Sequence, residues 1–157
     1  QPHGGPEGLG YQYSWTRDVP SPIVNEVLEY YKESHTIIHI KRQDQIIYPD
    51  TLQALDGFRS IAILLQLSDK RLLIDSFAQH MAAALNLKST VCWVSTKPEV
   101  FGYKLHDNVK AEPFTKEPDL TTAAYNPFNL AQDIHSIPYN DLNEVFITDK
   151  IVTSLNS

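Results

Sequence analysis

Three residues that could bind or polarise an anionic ligand lie close together near the middle of the chain. Asp75 and Ser76 follow a short apolar run that ends at Ile74, and His80 comes four residues after Ser76. An apolar helical pattern follows, so the Asp75-Ser76 pair would stand where a strand ends and a helix begins. The free N–H groups of a first helical turn, the Ser76 hydroxyl and the helix dipole together favour an anion, most naturally a phosphate.

The same three residues also have a purely structural interpretation. An Asp-Ser pair ahead of an apolar helix is a common N-cap, which explains both residues without any ligand. A histidine one turn into a helix can equally be a hydrogen-bonded, half-buried side chain. The choice therefore depends on what the neighbouring elements bring to Asp75, Ser76 and His80.

Short β-like runs alternate with helical patterns around these residues. Strands are predicted over residues 11–15, 35–40, 71–74, 90–94 and 108–111, and helices over 21–34, 58–65, 78–85 and 148–155. Ser21 is predicted as the N-cap of the first helix, with Pro22 at its first position, and Asp56 as the cap of the second. The segment between the second strand and Pro49 is predicted to be polar and turn-like.

This alternation predicts an α/β fold with a Rossmann-like parallel sheet, helices on both faces and a C-terminal helical tail. Residues 1–10 are interpreted as a flexible linker or a cloning remnant. Residues 11–113 would form the Rossmann-like domain, and residues 114–157 an acidic extension that ends in a helix. In open parallel sheets, ligands bind at the carboxyl ends of the strands, which is where Asp75 and Ser76 would lie.

The composition excludes several classes of protein. The 157 residues carry a net charge of −6, and the chain from Glu112 onward holds seven acidic and two basic residues, so nucleic acid is not an expected partner. The single cysteine, Cys92, cannot form an internal disulfide, and no Cys/His cluster has the spacing of a zinc site. The apolar runs are far shorter than the roughly 18 residues of a membrane span, so no transmembrane segment is predicted.

The positions of the glycines limit the kind of nucleotide site. Four of the six glycines lie in the first ten residues, and only Gly57 and Gly102 follow Tyr11. The body of the chain therefore holds neither a three-glycine dinucleotide fingerprint nor a Walker-type phosphate loop. The chain begins with Gln1 and its one methionine is Met81, so we expect a processed product or a part of a longer protein.

Residues 75–94, DSFAQHMAAALNLKSTVCWV, resemble the signature of the family 9 glycosyltransferases, the ADP-heptose:lipopolysaccharide heptosyltransferase-like enzymes. That signature contains Asp, then Ser or Thr, Gly, two variable residues, His, one variable residue, Ala or Thr, and Ala-Ala-Leu. The matching residues are Asp75, Ser76, His80, Ala82, Ala83, Ala84 and Leu85. The resemblance implies the C-terminal, Rossmann-like half of a GT-B enzyme, which binds a nucleotide sugar without a metal or other cofactor.

The resemblance also implies roles for individual residues. Asp75, Ser76 and His80 would contact the diphosphate and sugar of the donor. The loop after the first strand would supply Thr16 and Arg17 to the phosphates. A guanidinium can hold a pyrophosphate bidentately, although Arg17 could equally be a solvated loop charge.

Two further positions bear on the resemblance. Phe77 stands where the family has a glycine, and its ring could block the phosphate or stack on a base or sugar. Asp44 lies in the region where the family often places an acidic residue that binds the ribose, without a clean match to it. We therefore include Phe77 and Asp44 among the candidate donor-binding residues.

The resemblance implies that the whole enzyme transfers a sugar from a nucleoside diphosphate to a glycan acceptor in polysaccharide biosynthesis, in the cytoplasm and peripheral to the membrane. The binding site for the acceptor and the general base would belong to an N-terminal domain that this chain lacks. The isolated chain should therefore bind the donor weakly and catalyse little. One alternative is a non-catalytic Rossmann-like interaction module that has lost nucleotide binding, with Phe77 in the former phosphate site. Another is a stand-alone nucleotide-dependent enzyme, for which the sequence offers no acid–base pair.

Overall fold

The computed structural model describes residues 1–4, 14–54, 57–116 and 138–157. In these ranges the chain is a mixed α/β protein with small parallel sheets flanked by helices, an arrangement that is compatible with a Rossmann-like fold. The strands are β1 (Ile38–Ile40), β2 (Leu52–Ala54), β3 (Leu72–Ile74), β4 (Thr90–Trp93) and β5 (Asp107–Lys110). The helices are α1 (Ser21–Tyr31), α2 (Phe58–Leu67), α3 (Phe77–Ala84), α4 (Pro98–Phe101) and α5 (Thr148–Leu155), and there are 3₁₀ turns at Ser14–Thr16 and Leu142–Glu144.

The strands form two parallel sheets. β1 pairs with β2, with Ile38 opposite Leu52. β4 is the middle strand of the second sheet, where Leu72 of β3 lies opposite Thr90, and Thr90 lies opposite Asp107 of β5. All pairs run in the same direction, so the carboxyl ends of the strands in each sheet meet at one edge.

Residues 1–4 lie between the two sheets and contact both. The amino group of Gln1 donates a hydrogen bond of 2.8 Å to the carbonyl of Leu72 in β3. On the other side, Nε2 of His3 and the hydroxyl of Tyr48, which lies between β1 and β2 in the chain, form a hydrogen bond of 2.8 Å. These four residues thus connect the two sheets.

The packing of residues 1–4 differs from the linker that the sequence predicts for them. Pro2 and His3 are buried. A Cβ atom on Gly4 would meet Cδ1 of Ile74 at 3.2 Å, a tight contact that a larger residue could make only if the Ile74 side chain shifted. Residues 5–10, the remainder of the predicted linker, lie outside the described residues.

Apolar side chains cover both faces of the sheets because successive residues of a strand point to opposite sides. Ile74 and Cys92 join a core cluster with residues of α1 and α5. Leu73, Val91 and Trp93 join a second cluster with residues of α2 and α3. The helices therefore lie on two faces of the sheet, as the alternating pattern predicts.

Most of the predicted elements are confirmed, and the structure usually shortens them. α5 has the predicted bounds, and β3, β4 and β5 lie within one residue of the predicted strands at each end. The strand predicted over 35–40 narrows to β1. Neither β2 nor α4 is predicted from the sequence.

Two local predictions at the start of the chain are wrong. Pro20, not Ser21, is the N-cap residue of α1, and no side chain caps this helix in the described part of the chain. Trp15 lies in a 3₁₀ turn rather than in a strand, because its ring is buried against Phe114 by tertiary contact. Residues 11–13 and the predicted cap Asp56 lie outside the described residues.

The C-terminal helix is part of the main core. Ile151 and Val145 are fully buried and belong to the same cluster as α1. The hydroxyl of Tyr31 donates to the side-chain oxygen of Asn156 at 3.1 Å, and this bond joins the ends of α1 and α5. The sequence analysis treats residues 114–157 as an extension apart from the Rossmann-like domain. In the structure, the described residues 138–157 pack into the same core as the sheet.

This packing predicts a large loss of stability on truncation of Ile151. Ile151 has an exposed fraction of 0%, so Ile151→Ala should lower the free energy of unfolding by about 2–5 kcal/mol through lost burial and a residual cavity. Ile147→Ala is the matched control, since Ile147 is 47% exposed and should lose less than about 1 kcal/mol. Urea unfolding followed by circular dichroism measures both, and equal losses would contradict the placement of α5 in the core.

Candidate functional site

The candidate site lies at the carboxyl ends of β3 and β4. Asp75 and Ser76 follow β3 directly. The carbonyl of Thr16 accepts hydrogen bonds from both the backbone N–H and the hydroxyl of Ser95, each at 2.9 Å, and Ser95 comes two residues after β4. The structure thus brings Asp75, Ser76 and the Thr16 turn to one edge of the second sheet, where ligands of parallel sheets bind.

Ser76 holds the N-cap position of α3 but does not cap the helix with its side chain. Its hydroxyl instead donates to Oε1 of Gln1 at 3.0 Å. Among the described residues no side chain caps α3, and the first N–H groups of a helix have no partner within the helix itself. The interpretation of Ser76 as a side-chain cap is therefore wrong, and the start of α3 can donate to an anion.

Three cationic residues follow the carboxyl ends of strands or the Thr16 turn. Arg17 is exposed and adjoins the buried Thr16, and Lys97 is exposed two residues after Ser95. Lys41 follows β1 directly and is only 6% exposed. No carboxylate of the described residues forms an ion pair with Lys41, which makes it a cation held in the interior without a recorded counter-charge.

His80 makes contacts that lead away from Ser76. Its Nδ1 lies 3.0 Å from the hydroxyl of Tyr103, and the two rings meet edge to face at 5.6 Å. The neighbouring Gln79 is fully buried and its side-chain NH₂ donates to the carbonyl of Phe101 at 3.1 Å. His80 thus contacts the segment after α4, and among the described residues it forms no hydrogen bond with Asp75 or Ser76.

Phe77 forms an exposed aromatic pair with Phe58 at the start of α2. The rings meet edge to face at 5.3 Å, and 36% of Phe77 and 70% of Phe58 are exposed. Both residues are the first of their helices. The ring of Phe77 therefore leans towards α2, and it lies within reach of a ligand at the start of α3.

Asp44 does not join the other candidate residues. It lies in the exposed segment between β1 and β2, where its carboxylate pairs with Nε of Arg42 at 3.3 Å. A surface ion pair of this kind contributes little to stability. The structure thus explains Asp44 as the partner of Arg42 and gives it no contact with Asp75, Ser76 or Thr16.

A buried polar network that the sequence analysis misses adjoins the site. Nδ1 of His3 lies 3.5 Å from Oδ2 of Asp18, and its Nε2 is hydrogen-bonded to Tyr48, whose hydroxyl donates to the Ser21 hydroxyl at 3.1 Å. The other carboxylate oxygen of Asp18 accepts from the N–H of Gly4 at 2.9 Å. The hydrogen bonds of His3, Tyr48 and Ser21 orient these side chains, while the 3.5 Å contact between Nδ1 of His3 and Asp18 is electrostatic and not a hydrogen bond.

This network has a weak signal in the sequence. His3 belongs to the stretch read as a linker, so its burial could not be anticipated from local pattern. Asp18, next to the candidate Arg17, is the one member that the sequence places beside the site. A buried carboxylate needs a partner, but no local pattern of the sequence identifies that partner as His3.

His39 is buried beside the same network, in the middle of β1. Its ring lies 5.2 Å from the ring of Tyr48 and 6.4 Å from that of His3, and neither ring nitrogen has a hydrogen-bond partner among the described residues. Burial, followed by the nearby positive charges of the Gln1 amine, His3 and Lys41, lowers the pKa of His39 to about 3. The imidazole is therefore neutral at physiological pH.

The described ranges offer neither a metal-binding cluster nor a membrane-spanning helix. These residues contain no group of three or more His, Cys, Asp or Glu side chains that could hold a metal ion. None of the helices in this part of the chain has the length and apolar character that a membrane crossing requires.

Comparison with known proteins gives no match: no family model, curated protein or solved structure is similar to this chain. The functional argument therefore depends on the geometry of the site and on the residues that form it.

The neutral His39 predicts a specific loss of stability in acid. Because its pKa is about 3 in the folded chain and about 6.5 when unfolded, the unfolded state alone binds a proton between these values. The free energy of unfolding should fall as the pH falls from about 6.5 towards 3, by up to about 1.4 kcal/mol per pH unit from this residue. His39→Leu should remove that part of the slope in urea titrations at pH 4–6.

His35→Leu serves as the control for the His39 experiment. His35 is exposed, so its removal should leave the pH dependence of unfolding as it is. A slope that stays the same in His39→Leu would show that the buried imidazole does not resist protonation.

Proposed function

We propose that this chain is the donor-binding domain of a glycosyltransferase, in which a nucleoside diphosphate sugar binds at the start of α3. In the whole enzyme the sugar would pass to a hydroxyl of a glycan acceptor. The observation that carries the proposal is the uncapped start of α3, directly after β3, with the Ser76 hydroxyl beside it and the Thr16 turn fixed to the neighbouring strand end.

The order of the strands supports this place for the ligand. If residues 1–4 are counted as the element between β1 and β3, the order becomes β2, β1, residues 1–4, β3, β4, β5. When the elements are numbered along the chain, residues 1–4 are strand 1 and β1 to β5 are strands 2 to 6. The order is then 3-2-1-4-5-6, the doubly wound order whose switch point lies between strands 1 and 4. The crevice of such a sheet would here lie between Gly4 and Ser76, since a Cβ on Gly4 would stand 3.9 Å from Cβ of Ser76.

The chemistry of the site suits a diphosphate. The helix dipole places about half a positive charge at the start of α3, and the N–H groups there point outward to an anion. Arg17, free at the surface beside Thr16, has the planar donor geometry that holds two phosphate oxygens. Negative charge that develops on a leaving diphosphate would be stabilised by these preorganised donors.

Two lysines extend the positive field of the site. Lys41 and Lys97 follow β1 and β4 respectively, so both stand at the carboxyl ends of strands. The low exposure of Lys41 reduces solvent screening and strengthens its attraction for an anion. The signature resemblance of residues 75–85 and this arrangement of cations support the same ligand class.

Nucleotide titration tests the proposal. ADP, UDP and GDP should each be added to the ¹⁵N-labelled chain, and at least one should shift the amide signals of residues 76–80 and of Arg17. Arg17→Ala should weaken the binding about tenfold or more, because a hydrogen bond to a charged group contributes about 1.5–3 kcal/mol. Silence of all three titrations at millimolar nucleotide would contradict the proposal.

Lys32→Ala is the matched control for Arg17→Ala. Lys32 is a cation at the far end of α1, paired with Glu29 at 2.6 Å, and it lies outside the site. Its removal changes the net charge by the same amount as the removal of Arg17. An equal loss of affinity would show that Arg17 acts through the net charge and not through direct contact with the nucleotide.

The exposed pair of Phe58 and Phe77 favours a second candidate function, a non-catalytic interaction module. In that case the wild-type chain would give no response to nucleotide, because the Phe77 ring occupies the position of the family's glycine. Phe77→Gly should then restore binding, with amide shifts at residues 76–80. Circular dichroism must show that the variant remains folded, since glycine near the start of a helix costs up to about 1 kcal/mol. Nucleotide binding by the wild-type chain with equal or higher affinity would exclude this candidate.

A further inference from the structure

A large cavity lies between the two sheets and adjoins the candidate site at Gln1, the hydrogen-bond partner of Ser76. Its volume is about 540 Å³, about eighteen times the volume of one water molecule in the liquid, which is about 30 Å³. Protein interiors are close-packed and contain few voids larger than a single water. The cavity opens to solvent, since His35, Thr36 and Leu67 of its lining are exposed, but a cleft of this volume between two sheets leaves apolar surface uncovered and needs an explanation.

Two walls of the cavity are the free edges of strands. Among the described residues, β1 pairs with β2 alone and β3 with β4 alone, and residues 36–40 and 69–73, which lead into β1 and β3, line the cavity. The unused edges of β1 and β3 thus border the same space. A strand edge presents a row of N–H and C=O groups that are costly to leave unpaired away from water.

The other two walls are apolar faces of helices. Val24, Val27 and Leu28 of α1 line the cavity from one side, and Leu64 and Leu65 of α2 line it from the other. A strand between these walls would be covered on both faces. Strands buried in this way are continuously apolar and rich in β-branched residues.

Residues 1–4 already occupy one end of the space. The Gln1 amine bonds to the free edge of β3 at Leu72, and Gln1 and Pro2 line the cavity. Burial lowers the pKa of this amine to about 5, because a charge is poorly solvated there. A peptide N–H at the same position would make the same hydrogen bond to Leu72 without a charge.

We propose that the cavity is a slot for one more parallel β-strand, formed by an extended apolar segment that runs directly into Gln1 and hydrogen-bonds to the facing edges of β1 and β3. Five consecutive residues line the cavity on each side, residues 36–40 leading into β1 and residues 69–73 leading into β3, which at about 3.3 Å per residue gives a length of about 16 Å. The slot therefore takes about five residues. Its occupant is joined to Gln1 by a peptide bond, because Gln1 and Pro2 already line the cavity and the Gln1 amine bonds to Leu72 of β3. This inference rests on the strand edges and is independent of nucleotide binding.

Two chains with five added residues test the proposal. In one, Val-Ile-Val-Ile-Val is joined to Gln1; in the matched control, Ser-Gly-Asp-Ser-Gly is joined at the same place. Amide hydrogen exchange is measured for residues 36–40 and 69–73, which line the cavity, and the unfolding midpoint is measured in urea. The apolar extension should slow exchange at both edges at least tenfold relative to the polar extension and should raise the midpoint.

Equal exchange at the two edges in both chains would overturn the proposal. So would an apolar extension that produces oligomers by size-exclusion chromatography while residues 36–40 and 69–73 stay unprotected, because the added segment would then lie outside the slot. Protection of both edges in a monomer, absent from the polar control, is the result that the structure leads us to expect.

Discussion

The contact of residues 1–4 with both sheets is the constraint on which the rest of the structure depends. β1 and β2 form one sheet and β3, β4 and β5 another, and the hydrogen bonds of Gln1 to Leu72 and of His3 to Tyr48 connect the two. In the same segment, the N–H of Gly4 donates a hydrogen bond to Asp18, and the side-chain oxygen of Gln1 accepts one from the Ser76 hydroxyl. The relative position of the strand ends, and with it the candidate site, therefore follows from how four residues pack.

The sequence predicts the elements with strong periodicity and misses those that tertiary contact creates. The apolar stripes of α3 and α5 and the apolar run of β3 are local signals, and the structure keeps all three. β2 is three residues long and half-exposed, so it carries no alternation that a reader of the sequence could recognise. Trp15 has the spacing of a strand residue but takes its conformation from burial against Phe114.

The candidate site divides in the same way. Asp75, Ser76 and Thr16 share one edge because parallel strands end together, and a rule of topology suffices to predict this. His80 turns towards Tyr103 and Asp44 towards Arg42, since the direction of a side chain depends on its neighbours in space. The pairing of His3 with Asp18 joins residues that no local pattern relates, so the sequence could not reveal it.

If an anion binds at Ser76 as proposed, the hydrogen bond between Ser76 and Gln1 couples its affinity to the packing of residues 1–4. An anion that accepts a hydrogen bond from the Ser76 hydroxyl must replace the side-chain oxygen of Gln1. Its binding free energy therefore includes the cost of breaking the hydrogen bond between Ser76 and Gln1. By thermodynamic linkage, whatever tightens the packing of residues 1–4 also alters the apparent affinity, without contact with the ligand. The packing that holds the two sheets together and the binding of an anion at the strand ends would therefore be thermodynamically coupled.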